Sequence, residues 1–119
     1  MLTRAEIKWL HGLTRKRQRD AEGLFIAEGP KIVGDLLALL PCRLLLATAD
    51  FLQSKAQWSA AEVRELSASE LARVSLLQAP QQVVAVFEKP TPAPWQPTDE
   101  LALALDGVQD PGNVGTIIR

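Results

Sequence analysis

The sequence predicts a three-layer α/β sandwich around a mostly parallel sheet. Short apolar, strand-like runs alternate with helical segments along residues 1–88, which is the pattern of a sheet with helices packed on it. Residues 43–48 form an apolar run, typical of a strand buried on both faces. Residues 82–88, QVVAVFE, contain the β-branched and aromatic side chains that favour strands.

The composition is that of a soluble globular protein. The chain has 119 residues, enough for one ordinary domain, with 47% hydrophobic and 23% charged side chains. Its first residues are too polar for a secretory signal, and its apolar stretches are too short to cross a bilayer. Cys42 is the single cysteine, so we expect a cytoplasmic protein in which Cys42 is a small buried hydrophobe.

The first predicted helix has two chemically different faces. Thr3 and Glu6 have the spacing of a capping box, which predicts a helix over residues 4–17. Residues 1–19 hold six basic side chains against one acidic side chain, although the net charge of the whole chain is −1. The apolar residues fall on one side of the helix, and Arg4, Lys8, Arg15 and Arg19 cluster on the other side. This charge favours a negatively charged partner, and a plain solvated surface is the alternative.

Capping and turn residues divide the rest of this part into short elements. Asp50 is placed to cap a short helix through Lys55, and Ser67 with Glu70 repeats the capping-box spacing. The predicted elements are a turn at 20–23, strands at 24–27, 43–48, 62–66 and 82–88, a helix at 31–40 and a helix from 68 to about 77.

A proline-rich stretch separates residues 1–88 from the end of the sequence. Residues 89–99, KPTPAPWQPTD, hold four prolines and no periodicity, which predicts an extended, semi-rigid linker. Residues 101–105 then resume as an apolar strand. The predicted organisation is therefore a first domain at 1–88, a linker at 89–99 and the start of a second domain at 100–119, which is too short to bury a core of its own.

The final stretch, DGVQDPGNVGTIIR, is the candidate site. A strand, a glycine-bearing turn and a helix amino terminus together present backbone N–H groups to an anion or a polar substrate. The stretch has no Gly-x-Gly-x-x-Gly pattern and no P-loop lysine, so a generic turn is the alternative. His11 has no second ligand at metal-binding spacing, which argues against a metal site.

This stretch resembles the first motif of the SpoU (TrmH-type) RNA 2′-O-ribose methyltransferases of the SPOUT superfamily, with Asn113, Gly115 and Arg119 at the motif's spacing. The basic helix, FIAEGPKIV at 25–33 and QQVVAVFEKP at 81–90 are similar to the substrate-binding domain that many members carry. That domain resembles RNA-binding ribosomal proteins. One departure is Gln82, where the family usually has glycine.

The resemblance implies an S-adenosylmethionine-dependent RNA methyltransferase acting on rRNA or tRNA. It also implies that the basic residues near the amino terminus bind RNA, with these candidates: Arg4, Lys8, Arg15, Lys16 and Arg19. It implies that Asn113 and Arg119 are catalytic, with Asn113 fixing the turn. A guanidinium group stays protonated at neutral pH and therefore cannot accept a proton as a base. We therefore expect Arg119 to bind phosphate and stabilise the developing oxyanion. We expect Glu28 to anchor the turn before Pro30.

The motifs that form the family's knotted cofactor pocket do not occur in this sequence. The resemblance therefore implies the first strand of a trefoil-knot SPOUT domain, no cofactor-binding residue in this chain, and a fragment that transfers no methyl group alone. The intact enzyme is expected to be a homodimer. A non-catalytic RNA-binding or ribosome-associated module is the main alternative, and a small nucleotide-binding α/β protein is a further one.

Overall fold

The computed structural model describes residues 1–54 and 59–119 and shows a mixed α/β fold. In chain order the elements are α1 (Arg4–Gly12), α2 (Lys16–Glu22), β1 (Leu24–Glu28), α3 (Pro30–Leu37), β2 (Cys42–Ala47), α4 (Ala49–Gln53), β3 (Val63–Glu65), α5 (Ala68–Val74), β4 (Val83–Glu88) and α6 (Pro111–Ile118). Lys55, where a helix was predicted to end, lies outside the described residues. Within the described part, no helix is long and apolar enough to cross a membrane.

The four strands form one sheet in the order β1-β4-β2-β3. β4 runs antiparallel to both β1 and β2, and only β2 and β3 pair in parallel, so the predicted mostly parallel sheet is wrong. The reason lies in the chain before β4. Glu28, at the end of β1, holds Ser75 and Leu76, and the Gly29 N–H donates to the Val83 carbonyl. The chain therefore enters β4 beside the carboxyl-terminal end of β1. β4 then lies between β1 and β2 and runs antiparallel to both.

Helices cover both faces of this sheet, as the three-layer prediction requires. One core joins Leu10 of α1 and Leu71 of α5 to Leu44 and Leu46 on the sheet, and the other joins helices α3 and α4 to the opposite face. Arg43 is an extra residue opposite β4, and this bulge breaks the alternation of side chains, so that Cys42 lies on the α3 side. Cys42 is buried as predicted, and burial raises the pKa of its thiol to about 11.

Both predicted capping boxes are present, at Thr3 with Glu6 and at Ser67 with Glu70. The single helix predicted over residues 4–17 is wrong, because α1 ends at Gly12 and a corner at residues 13–15 separates it from α2. α2 extends to Glu22 through the predicted turn, and Gly23 ends it with a φ of 64°, which favours glycine. Thr48 rather than Asp50 caps α4.

Residues 89–110 contain no helix or strand. The strand predicted at residues 101–105 is wrong for this structure, because a strand needs a neighbour to complete its backbone hydrogen bonds and no described strand pairs with it. Its leucines are exposed.

Candidate nucleic-acid interface

A groove of about 680 Å³ lies along α1 and the corner that follows it. Arg4 and Lys8 come from α1, Arg15 from the corner, and Arg73 from the last turn of α5. Trp9, His11 and Gln18 also line the groove. The fold thus gathers three of the five predicted RNA-binding cations and adds one from a distant helix.

The charges on these four side chains are not neutralised by the protein. Arg4, Lys8 and Arg15 are exposed and form no ion pair among residues 1–54 and 59–119. Arg73 is exposed as well, and it attracts the Glu70 carboxylate without forming a salt bridge. Gathering like charges in one groove is unfavourable unless an anion binds there. The groove is therefore suited to a polyanion.

Lys16 and Arg19 are directed elsewhere. The Lys16 ammonium lies 2.6 Å from the Asp20 carboxylate, and Lys89 reaches the other oxygen of Asp20 at 2.6 Å. Hydrogen bonds from Lys16 and then from Lys89 lower the pKa of Asp20 to about 2. The Arg19 guanidinium donates to the carbonyl oxygens of Leu13 and Thr14. The structure brings neither cation into the lining of the groove.

Nothing in the sequence pattern singles out Arg73. It lies in the last turn of a capping-box helix, 69 positions after Arg4, and its place becomes apparent only when α5 packs beside α1 on the same face of the sheet. A basic residue in the last turn of a helix is common because it complements the helix dipole, so its type alone carries no signal.

Trp9 is half-buried, and its indole N–H donates to Glu22 at 2.8 Å. This contact joins α1 to α2. Trp9 therefore helps to hold the two helices together and also lines the groove.

Glu28 is a half-buried structural anchor. One of its oxygens accepts a hydrogen bond from the Leu76 N–H at 3.0 Å, and the other accepts from the Ser75 hydroxyl. It thereby ties the end of β1 to the loop after α5. Gln82 adopts no positive φ, and its carbonyl accepts from the Thr48 N–H at 3.0 Å, so the loop does not require the glycine usual in the resembled family.

The candidate catalytic residues lie at the two ends of α6. Asp110, not Asn113, fixes the turn, because its side chain accepts from the Gly112 N–H at 3.0 Å. Asn113 is exposed, and its side chain forms no hydrogen bond with a described residue. Arg119 lines a shallow cavity of about 500 Å³ that contains the acidic side chains of Glu28 and Asp35 and the amino group of Lys31. Asn113 does not line that cavity.

The described residues hold no cluster that could bind a metal ion. Most residues of α6 are exposed, and the Asp110 side chain accepts a hydrogen bond from the Gly112 N–H.

The fold is that of a substrate-binding domain. Residues 4–85 match the model of the MRM3-like substrate binding domain, and the chain belongs to that family. The curated relative rRNA methyltransferase 3, mitochondrial, of Mus musculus is 28% identical over 85% of this chain and 27% of its own length.

Solved structures agree with this assignment. A putative RNA methyltransferase of the TrmH family from Porphyromonas gingivalis is 44% identical, with a TM-score of 0.86 over 100% of this chain and 47% of its own. A structure described as an RNA 2′-O ribose methyltransferase is 26% identical, with a TM-score of 0.69 over 98% and 48%. AdoMet-bound rRNA methyltransferase from Sinorhizobium meliloti is 28% identical, with a TM-score of 0.51 over 76% and 35%. The predicted resemblance is confirmed, and the chain spans about half or less of each of these proteins.

Proposed function

We propose that this chain is the RNA-binding part of an S-adenosylmethionine-dependent RNA 2′-O-ribose methyltransferase. Phosphates of the RNA lie along the groove, where Arg4, Lys8, Arg15 and Arg73 replace the counterions that the RNA releases on binding. The observation that supports this most directly is the gathering of these four exposed cations, none of them in a salt bridge with another described residue, in one groove of a substrate-binding domain.

The substrate is ribosomal RNA in this proposal, because the mouse relative and the Sinorhizobium protein are both described as rRNA methyltransferases. Transfer RNA is the alternative that the sequence left open. A direct competition between the two RNAs for the chain distinguishes them.

RNA binding is tested by removing three groove cations together. In Arg4→Ala/Lys8→Ala/Arg15→Ala, the slope of log affinity against log salt for a labelled RNA hairpin should become shallower by roughly 2, since three phosphate contacts are lost. The control Arg17→Ala/Lys31→Ala/Arg43→Ala changes the net charge equally with exposed residues outside the groove. Equal slopes for the two triple variants would contradict the proposal.

The catalytic part of the proposal concerns Asn113 and Arg119. S-adenosylmethionine supplies the methyl group in the parent enzyme, and we assign no residue of this chain to it. Arg119 binds phosphate beside the reacting ribose and stabilises the negative charge that develops on the 2′-oxygen as its proton leaves. Asn113 contacts the substrate or Arg119.

The reaction type can be tested in the parent enzyme. A 2′-O-methyl group blocks attack of the 2′-oxygen on the neighbouring phosphate, so the methylated nucleotide appears as an alkali-resistant dinucleotide. Arg119→Ala should abolish this product while RNA affinity changes much less. A labelled methyl group that is found only on bases would contradict 2′-O transfer.

A further inference from the structure

The corner between α1 and α2 contains a basic residue whose contacts differ from those of its neighbours. Arg19 is half-buried, whereas Arg15, Lys16 and Arg17 are exposed. One nitrogen of its guanidinium, Nη1, donates to the Leu13 carbonyl at 3.0 Å and to the Thr14 carbonyl at 2.7 Å. Part of its hydrogen-bonding capacity is thus directed at the protein's own backbone.

Side chains contact carbonyl groups at the end of α1 and in the corner that follows it. Gln18 donates to the Trp9 carbonyl at 3.1 Å, the Thr14 hydroxyl donates to the His11 carbonyl at 2.7 Å, and Arg19 donates to the carbonyls of Leu13 and Thr14 in the corner. Because the end of α1 carries the negative end of the helix dipole, a guanidinium beside it lowers the negative potential near the groove.

Arg15 follows immediately after the two carbonyls that Arg19 holds. The Arg15 carbonyl in turn accepts the backbone N–H groups of Gln18 and Arg19, each at 3.1 Å. Residues 13–15 are therefore fixed from one side by the Arg19 side chain and from the other by the first turn of α2. Leu13 is fully buried below this corner, and Arg15 lines the groove above it.

We propose that Arg19 is a positioning residue for RNA binding: it holds the corner so that Arg15 reaches an RNA phosphate, and it makes no phosphate contact itself. This inference rests on the proposed function of the groove. It differs from the sequence prediction, which placed Arg19 among the residues that contact RNA directly.

A double-mutant cycle tests the proposal with a labelled RNA hairpin as the probe. Arg15→Ala and Arg19→Ala should each weaken binding several-fold, and the double variant should bind no more weakly than the weaker-binding single variant. The salt slope of the double variant should be shallower than that of the wild type by roughly 0.7 to 0.9, the value for one phosphate. If the losses in RNA affinity are additive and the slope changes by twice that amount, both residues contact phosphates. That result would overturn the proposal for Arg19 but not the proposed function of the groove.

Two further outcomes of the cycle would overturn the proposal. If Arg19→Ala binds like the wild type, the corner does not depend on Arg19 and the proposal is overturned. If Arg15→Ala binds like the wild type, both the proposal and the role of Arg15 in the groove are overturned.

Arg17→Ala is the matched control. Arg17 is an exposed cation on the same helix, and its side chain forms no hydrogen bond or salt bridge with a described residue, so any effect of Arg17→Ala on RNA affinity should add to that of Arg15→Ala. Circular dichroism checks that each variant is folded. If Arg19→Ala does not fold, Arg19→Met serves in the same cycle, because it keeps an unbranched side chain and removes every hydrogen-bond donor. A loss of affinity that does not add to that of Arg15→Ala supports the proposal, and wild-type binding or an additive loss overturns it.

Discussion

The carboxylate of Asp20 lies 2.6 Å from the ammonium of Lys89, 69 positions further along the chain. The same carboxylate lies 2.6 Å from Lys16 on its own helix. The backbone N–H of Lys89 also donates to the Gly23 carbonyl at 2.8 Å. The start of the proline-rich stretch is therefore tied to α2, the helix that follows the corner at residues 13–15.

This relationship predicts how stability depends on pH. The folded chain lowers the pKa of Asp20 from 3.8 to about 2, so the unfolded chain takes up a proton first as the pH falls. The stabilisation is present above about pH 4 and is lost as the pH falls toward about 2. Melting temperatures of Asp20→Asn should vary less than those of the wild type across this range. Asp99→Asn, which removes an exposed carboxylate outside any salt bridge of the described chain, should behave like the wild type.

Removing the Glu28 carboxylate should destabilise the fold. Glu28→Ala leaves the Leu76 N–H and the Ser75 hydroxyl without their partner, which costs about 1 to 3 kcal/mol for hydrogen bonds to a charged group. Urea unfolding measures the loss. The side chain of the exposed Glu65 makes no such contact with the described part of the chain, so Glu65→Ala should change stability by less than about 0.5 kcal/mol. Equal stability of the two variants would contradict the anchoring role.

The core on the α3 side depends on Phe87. Its ring is fully buried and stacks on Phe25 with centroids 5.8 Å apart. Phe87→Ala should lower the free energy of unfolding by about 3 to 5 kcal/mol, because it leaves a cavity in the centre of the sheet. Phe25 is only half-buried, so Phe25→Ala should cost clearly less in the same urea titration.

The proposed domain boundary can be tested with chymotrypsin. Trp95 is 73% exposed and lies in a stretch without helix or strand, whereas Phe87 is fully buried in β4. The first cut resolved by mass spectrometry should fall after Trp95 or in residues 101–105, leaving residues 1–88 intact. An earlier cut at Phe87 would contradict the boundary.

The sequence predicted the elements well and their arrangement less well. Capping boxes and apolar runs are local signals, so α5, β1 and β4 were placed to within a few residues. The direction of β4 depends on where Glu28 holds the preceding loop, and the break after α1 depends on side chains such as Gln18 and Arg19 reaching back to carbonyls. Such contacts leave no periodic pattern in the sequence.

The candidate interface was also predicted only as far as local sequence patterns allow. The basic face of the first helix was visible from its periodicity, which identified Arg4, Lys8 and Arg15. Periodicity could not show that Arg19 bonds to the backbone or that Arg73 approaches from α5, because both facts depend on tertiary packing.

Arg73 gives the most direct test of the groove, because only the folded structure brings it to the cations of the first nineteen residues. The measurement is the salt dependence of RNA binding by Arg73→Ala, with the exposed Arg43→Ala as the control of equal charge. The account predicts that Arg73→Ala weakens binding and makes the slope shallower by roughly 0.7 to 0.9, whereas Arg43→Ala keeps the wild-type slope. Identical slopes for the wild type and both variants would show that RNA contacts only the basic amino-terminal segment, and would contradict a groove formed by α1 and α5.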